Sequence, residues 1–396
     1  MSHISPMKVL IALPRLYPSK DAAASHIRLL IRGLREAGAH VSVIALGEAA
    51  TGTDVSKTAS GEAEHITVAV DKSSLLGRAK SFLFAPEAIA RAVSRRLSKG
   101  DIDVVITYGQ SYRTARSLTK ACQLCRTPLV GITTENWPFA VDMPFLALDN
   151  WLFRRLIQPR FAGVLAISEW LERDAHKSGV PALLLPALGD PSLPLQGKLS
   201  LGDGDFNLVY VGTLFRRDLP ATLLEGFRRF ALDHTRASLT VIGNLSSSEG
   251  GQWFADQIRR DPFLSTRVNI TGWVSDEELN GHMSRASAFV ILRNDDQISR
   301  ACFPFRLFRF MMTGRPVILS ATGEPMRLYG HLSACLKIPP GHHPDDLAAA
   351  LDKLIRDPRL AERIGLAGRQ QAAKLQDYAA HGRAAHSFLQ RVTMAP

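Results

Sequence analysis

Along the chain, short unbroken apolar runs alternate with stretches whose apolar residues recur at helical spacing. "MKVLIAL" has the length and composition of a strand buried on both faces, and "ASHIRLLIRGLREAG" follows as an amphipathic helix closed by a glycine. "HVSVIAL" is the next strand, which completes a βαβ unit. After a long middle stretch the alternation returns with "NLVYVG", the helix "ATLLEGFRRFALDH", then "ASLTVIG", "RVNITGWV", "ASAFVIL" and "RPVILS" with helical segments between them. Two such series predict an α/β protein with two doubly wound, Rossmann-like domains.

The 396 residues suit two cores better than one. Leu185 to Asp205 is rich in Pro, Gly and Asp and has no periodicity, so it reads as a connection. The expected division is 1–190 for the first domain, 191–205 for the linker, 206–372 for the second domain, and 373–396 for a C-terminal helical segment that packs back on the first.

Composition is ordinary for a soluble globular chain, at 46% hydrophobic and 21% charged, but the net charge of +11 implies an anionic partner. A nucleotide or phosphate ligand, an anionic membrane surface and nucleic acid all fit that charge. The scattered arginines and the absence of a recognised motif argue against nucleic acid. "MSHISPMKVLIALP" lacks a charged segment followed by a long apolar core, and no stretch approaches about 18 uninterrupted apolar residues. The expectation is a cytoplasmic protein that at most rests on the inner face of the cytoplasmic membrane.

Four cysteines make no disulfide framework; Cys122 and Cys125 form a CxxC within a helical stretch and read as ordinary thiols. "DID" at Asp101 to Asp103 and "DGD" at Asp203 to Asp205 read as boundary and turn residues, and no metal site is expected.

Five segments, in order, resemble the retaining family 4 glycosyltransferases of the GT-B fold. They are "DAAASHIRLLIRGLREAGAHVSVIAL", "VLAISEWLERDAHKSGV", "VYVGTLFRRDLPATLLEGF", "NITGWVSDEELNGHMSRASAFVIL" and "FPFRLFRFMMTGRPVILSATGEP". The resemblance implies two Rossmann-like domains facing a central cleft and a nucleotide diphosphate sugar as donor substrate with no separate cofactor. It also implies transfer with retention to a glycan or lipid-linked acceptor, in bacterial surface polysaccharide or glycoconjugate biosynthesis. The family usually carries two glutamates eight positions apart, the second on the donor ribose, with a lysine three residues before it. Here Ala301 and Arg309 hold those positions and Arg306 the lysine's, so both carboxylates are missing. A non-catalytic GT-B partner of another glycosyltransferase, or a sugar-nucleotide epimerase, therefore stays open.

The candidate site residues follow from this resemblance and from local chemistry. Pro304 suits the first turn of a helix, and the amides beside it at Phe305 and Arg306 offer a phosphate site. Arg306 and Arg309 are expected side by side on the exposed face of that turn, to grip a diphosphate or to form a solvated basic face. Gly212, Thr213, Arg216 and Arg217 lie in the loop after "NLVYV", where open α/β sheets bind ligands, and the two arginines suit a departing diphosphate. The family's usual arginine and lysine positions in this loop hold Thr213 and Asp218. Trp273 and Val274 are expected beside the donor base, with Trp273 equally readable as a core aromatic. Glu324 is placed on the ribose or at a helix cap.

In the first domain, Glu135 ends a strand and reads equally as a contact of the transferred sugar or the acceptor and as a structural residue, while of Tyr108 and Gln110 in the loop after the preceding strand, Tyr108 reads rather as structural. The loop "LPRLYPSKDAAASH" has no GxGxxG. Leu75, Leu76, Phe82, Leu83 and Phe84 sit among cations in "KSSLLGRAKSFLFAPEAIARAVSRRLSKG", as a membrane-surface segment or as a packed helix with a solvated edge.

Overall fold

Strand β1 (Lys8–Leu16) is the axis of the first sheet, because Val9 to Leu13 are all fully buried and so require cover on both faces. The computed structural model describes residues 5–19, 21–48, 57–60, 63–70, 75–109, 111–138, 144–194, 205–215, 217–341 and 343–394, and the side chains of these except 48, 57–60, 63–65, 69–70 and 75–83. The chain divides into two units. Unit one is Met1–Leu188 with Ala301–Phe303 and Tyr378–Pro396; unit two is Gly189–Arg300 with Pro304–Asp377.

Unit one adds β2 (His40–Glu48), β3 (Lys57–Ser60), β4 (Ala63–Val70), β5 (Val104–Tyr108), β6 (Leu129–Thr133), β7 (Gly163–Ala166) and β8 (Ala182–Leu184). Their order is β3-β4-β2-β1-β5-β6-β7-β8, parallel except for the β3–β4 pair at the edge. The helix Ala22–Glu36 begins at Asp21, whose side chain accepts from the Ala24 amide at 2.8 Å, and it buries Ile27, Leu30, Ile31 and Leu34 against this sheet's core. The last helix, Tyr378–Met394, lies along it, close enough that a Cβ on Gly33 would fall 2.5 Å from the Tyr378 carbonyl oxygen. Tyr378 Oη donates to Glu36 at 2.8 Å and ties the same pair.

Cys122 lies inside the helix Tyr112–Leu124 and Cys125 caps it; both are free thiols, and burial pushes Cys122 up to about 12. Asp101 pairs with Arg96 and Asp103 accepts the Lys8 amide at 2.6 Å, so both acids of "DID" fasten the start of β5 to its neighbours.

Unit two is an all-parallel sheet of β9 (Phe206–Val211), β10 (Ala237–Ile242), β11 (Val268–Gly272), β12 (Ala288–Ile291), β13 (Val317–Ser320) and β14 (Leu336–Ile338). Its order is β11-β10-β9-β12-β13-β14, the doubly wound arrangement in which the chain starts at the centre, works outward one way, returns and works outward the other. Its core is led by Phe206, Leu208, Tyr210, Phe227 and Phe254. Among the described residues no helix is long and apolar enough to cross a membrane.

Candidate functional site

The strand order of unit two fixes where a ligand fits. From β9 the chain turns toward β10, while β12, on the other side of β9, turns toward β13, so the loops leaving the carboxyl ends of β9 and β12 diverge and open a crevice. Gly212, Thr213 and Arg217 lie in the loop after β9. Trp273 and Val274 follow β11, and Glu324 follows β13 in the helix Gly323–Leu328. These residues, far apart in sequence, thus belong to one edge of one sheet. The helix Arg306–Met312 connects β12's side of the edge to β13 and starts there.

Arg306 is the centre of the arrangement. Its Nη2 donates to Asp218 Oδ1 at 2.7 Å and its Nη1 to the Val211 carbonyl at 2.6 Å, with its guanidinium carbon 4.8 Å from the centre of the Tyr210 ring. Arg293, just past β12, brings its Nε to 3.6 Å from the same Asp218 oxygen. Gly212 makes this possible, since a Cβ there would collide with Arg306 Nη1. Its φ of 149° is also one that glycine adopts most readily.

Asp218 has only 7% of its side chain exposed. Burial pushes its carboxyl up, but the charges of Arg306 and Arg293 more than offset this and hold it below the usual carboxylate range. Burial likewise opposes the charge on Arg306, and its contacts with Tyr210 and Asp218 outweigh that and raise it. Two guanidiniums are therefore gathered at one carboxylate at the crevice. Arg306 Nε is buried with no hydrogen-bond partner among the described residues.

Two expectations need correction. Arg306 and Arg309 do not form a common exposed face. Arg306 turns inward to Asp218, whereas Arg309 turns to the helix Asp276–Ser284, donating to Asn280 Oδ1 at 2.9 Å and lying 3.6 Å from Asp276. Two long side chains that leave the helix close together follow whichever acceptor lies beyond each. Trp273 is no core aromatic either: it follows the glycine that ends β11 and is 76% exposed.

Pro304 opens the turn ahead of the helix, its carbonyl accepting the Leu307 amide at 2.9 Å, and Phe305 is the capping residue. Val274 is half-buried, as is Arg217, while Arg216 lies outside the described residues. Glu324 is buried in the first turn of its helix and accepts from Arg327 Nε at 3.0 Å.

In unit one, Glu135 follows β6, half-buried, and its Oε2 accepts from Trp137 Nε1 at 3.1 Å. Tyr108 closes β5 under Arg15, whose guanidinium carbon stands 5.5 Å from the ring centre and which pairs with Asp21 at 2.6 Å. Gln110 lies outside the described residues.

Sequence reasoning missed Tyr210 and Arg293 and did not foresee that Asp218 pairs with Arg306. A signal existed for Arg293, which stands just beyond an apolar strand at its carboxyl end.

The family model described as "Glycosyl transferases group 1" matches residues 195–371, and "Glycosyl transferase 4-like domain" matches 22–186. Among solved structures, the chain is similar to sucrose-phosphate synthase from Thermosynechococcus elongatus at 17% identity and a TM-score of 0.79, over 99% of this chain and 100% of that one. HepE from Anabaena, solved with UDP and glucose, is similar at 15% identity and a TM-score of 0.69, over 97% and 100%. A glycosyltransferase from Rickettsia africae is similar at 12% identity and a TM-score of 0.71, over 100% of both chains. At these identities the likeness is one of fold. A search of curated proteins found no match.

Proposed function

We propose, from the premise that this chain belongs to the GT-B glycosyltransferases, that it moves a sugar from a nucleotide diphosphate sugar to a glycan or lipid-linked acceptor, with retention and without a metal ion. The observation that carries this reading is the gathering of the Arg306 and Arg293 guanidiniums around Asp218 at the carboxyl end of the sheet of unit two.

As the donor's glycosidic bond breaks, negative charge grows on the departing diphosphate. A guanidinium held in place by Asp218 and the Val211 carbonyl meets that charge without having to reorganise. One such donor contributes about 2.7–4 kcal/mol to a developing oxyanion. Arg217 and Arg216 would add to this charge from the same loop, and Trp273 and Val274 would border the base. Glu324 would meet the ribose. The HepE structure, with UDP and glucose bound, supports a nucleotide donor for a chain of this fold. Glu135 is assigned to the acceptor side, and the setting is the cytoplasmic face of a bacterial membrane during surface polysaccharide assembly. A non-catalytic role is the second reading, favoured by Ala301 and Arg309 at the two carboxylate positions.

Thermal melting of the purified chain with UDP, GDP, dTDP and ADP tests the donor. A ligand at a hundred times its dissociation constant stabilises the fold by about 2.7 kcal/mol, so at least one of the four should raise the melting temperature by several degrees. If none of them does, the donor reading falls and the non-catalytic one stands.

A further inference from the structure

We infer that the surface of unit one formed by the helix Pro144–Leu152 and the turn after it docks on an anionic lipid bilayer. Over "PFLALDNWLFRRLIQPR" one side of the backbone is packed, with Ala147, Asn150, Phe153, Ile157 and Gln158 all buried. The other side presents Phe145, 87% exposed, with Leu148, Trp151 and Leu156, each more than two-fifths exposed. Their intervals of three to five residues keep them on one side of a helical backbone. Single exposed apolar residues are ordinary on a protein surface, but four large ones in line are a contiguous patch that calls for a partner.

Charge identifies that partner. Arg155 and Arg160 are exposed beside the apolar stripe, whereas Arg154 turns inward to Asp174 and over the Trp170 ring. The one acid of the segment, Asp149, is half-buried and accepts the Tyr112 amide at 3.0 Å, so it does not oppose them. The helix Tyr112–Leu124, which packs against this segment, carries Arg113, Arg116 and Lys120 and no acid, with Arg116 and Lys120 exposed one turn apart. On the next helix in the layer, Leu75–Leu97, Phe84 is 61% exposed. The side chains of Leu75, Leu76, Phe82 and Leu83 lie outside the described residues.

An apolar stripe with an aromatic pair, bordered by Arg155, Arg160, Arg116 and Lys120 while the exposed acid beside them, Glu87, is paired with Arg113 at 3.7 Å, matches an interface that is apolar below and anionic at its rim. Phe145, Leu148, Trp151 and Leu156 would enter the boundary between headgroups and acyl chains, and the arginines would meet lipid phosphates. The docking rests on this face alone. It deepens the functional reading by placing a lipid-held acceptor within reach of unit one.

The test is cosedimentation of the full chain with vesicles of phosphatidylcholine alone and mixed with phosphatidylglycerol. The chain should bind the mixed vesicles more tightly than the neutral ones, and less as salt is raised. The double change Leu148→Ser with Trp151→Ser should weaken binding by at least about tenfold. Arg155→Gln with Arg160→Gln should weaken it on mixed vesicles by about 30-fold, from roughly one kcal/mol per cation. All four side chains are exposed or nearly so, and an unchanged melting temperature would verify the fold. Absence of binding to mixed vesicles, or unaltered binding by the Leu148/Trp151 variant, overturns the inference. A concentration-dependent dimer that this variant abolishes would instead assign the face to a second copy of the chain. Calorimetric titration of the same variants with UDP reads the donor site separately. Loss of vesicle binding with nucleotide binding intact therefore concerns this face, and the converse concerns only the donor reading.

Discussion

Asp218 Oδ1 accepts from Arg306 at 2.7 Å and lies 3.6 Å from Arg293 Nε, and that geometry sets how the crevice meets an anion. The carboxylate holds Arg306 in place and also repels a phosphate beside it. Asp218→Asn removes the repulsion but takes from the largely buried Arg306 the carboxylate it pairs with, at a cost of about 3 kcal/mol. This variant should melt well below the wild type while binding a nucleoside diphosphate several-fold more tightly, as calorimetry and thermal melts would record. The pH dependence has a definite sign. The folded state holds Asp218 below its ordinary 3.8, so its contribution to stability is complete above that value and is lost as pH falls through the lower, folded one. Melting temperature followed downward from about pH 5 should therefore drop more steeply for wild type than for Asp218→Asn. Parallel curves would show that the pair contributes nothing to the acid limb.

Among the elements, those buried on both faces were the most legible. "MKVLIAL" and "NLVYVG" name β1 and β9 because a central parallel strand admits only apolar residues. β3 and β4 escaped notice because an edge pair mixes polar residues through "KTAS" and "AEHITVAV", and no uniform run marks it. At the site, periodicity placed Arg306 near a helix start but not its direction. Asp218 stands 88 residues away, and only the folded sheet brings the two together. Helix contacts give two further expectations. Gly382→Ala puts a Cβ into the backbone of Gly33, which should force the two helices of unit one apart and cost about 1–3 kcal/mol, less the roughly 1 kcal/mol that alanine gains over glycine in a helix. Ser275→Ala removes one half of the capping box at the helix Asp276–Ser284 and should cost about 1 kcal/mol. Chemical denaturation reads both, and a Gly382→Ala chain as stable as wild type would mean the helices separate without strain.

At the scale of the whole chain, 48 basic against 37 acidic side chains give the +11 that first implied an anionic partner. Arg293 and Arg306 direct part of that charge at the crevice of unit two, and the cations around Trp151 direct another part at the surface of unit one. Under the proposed donor reading, a chain with Ala301 and Arg309 at the positions of the family's usual carboxylates draws its hold on the donor chiefly from phosphate. Binding should accordingly depend on the diphosphate far more than on the nucleoside. The direct measurement is calorimetric titration of whichever nucleoside diphosphate stabilises the fold, and of its bare nucleoside, into wild type and Arg306→Ala. The diphosphate should bind the wild type at least about tenfold more tightly than the nucleoside does, and Arg306→Ala should lose about 10- to 100-fold of the diphosphate's affinity with the nucleoside's unchanged. Equal affinity for the two ligands, or diphosphate binding that survives Arg306→Ala intact, would contradict the account.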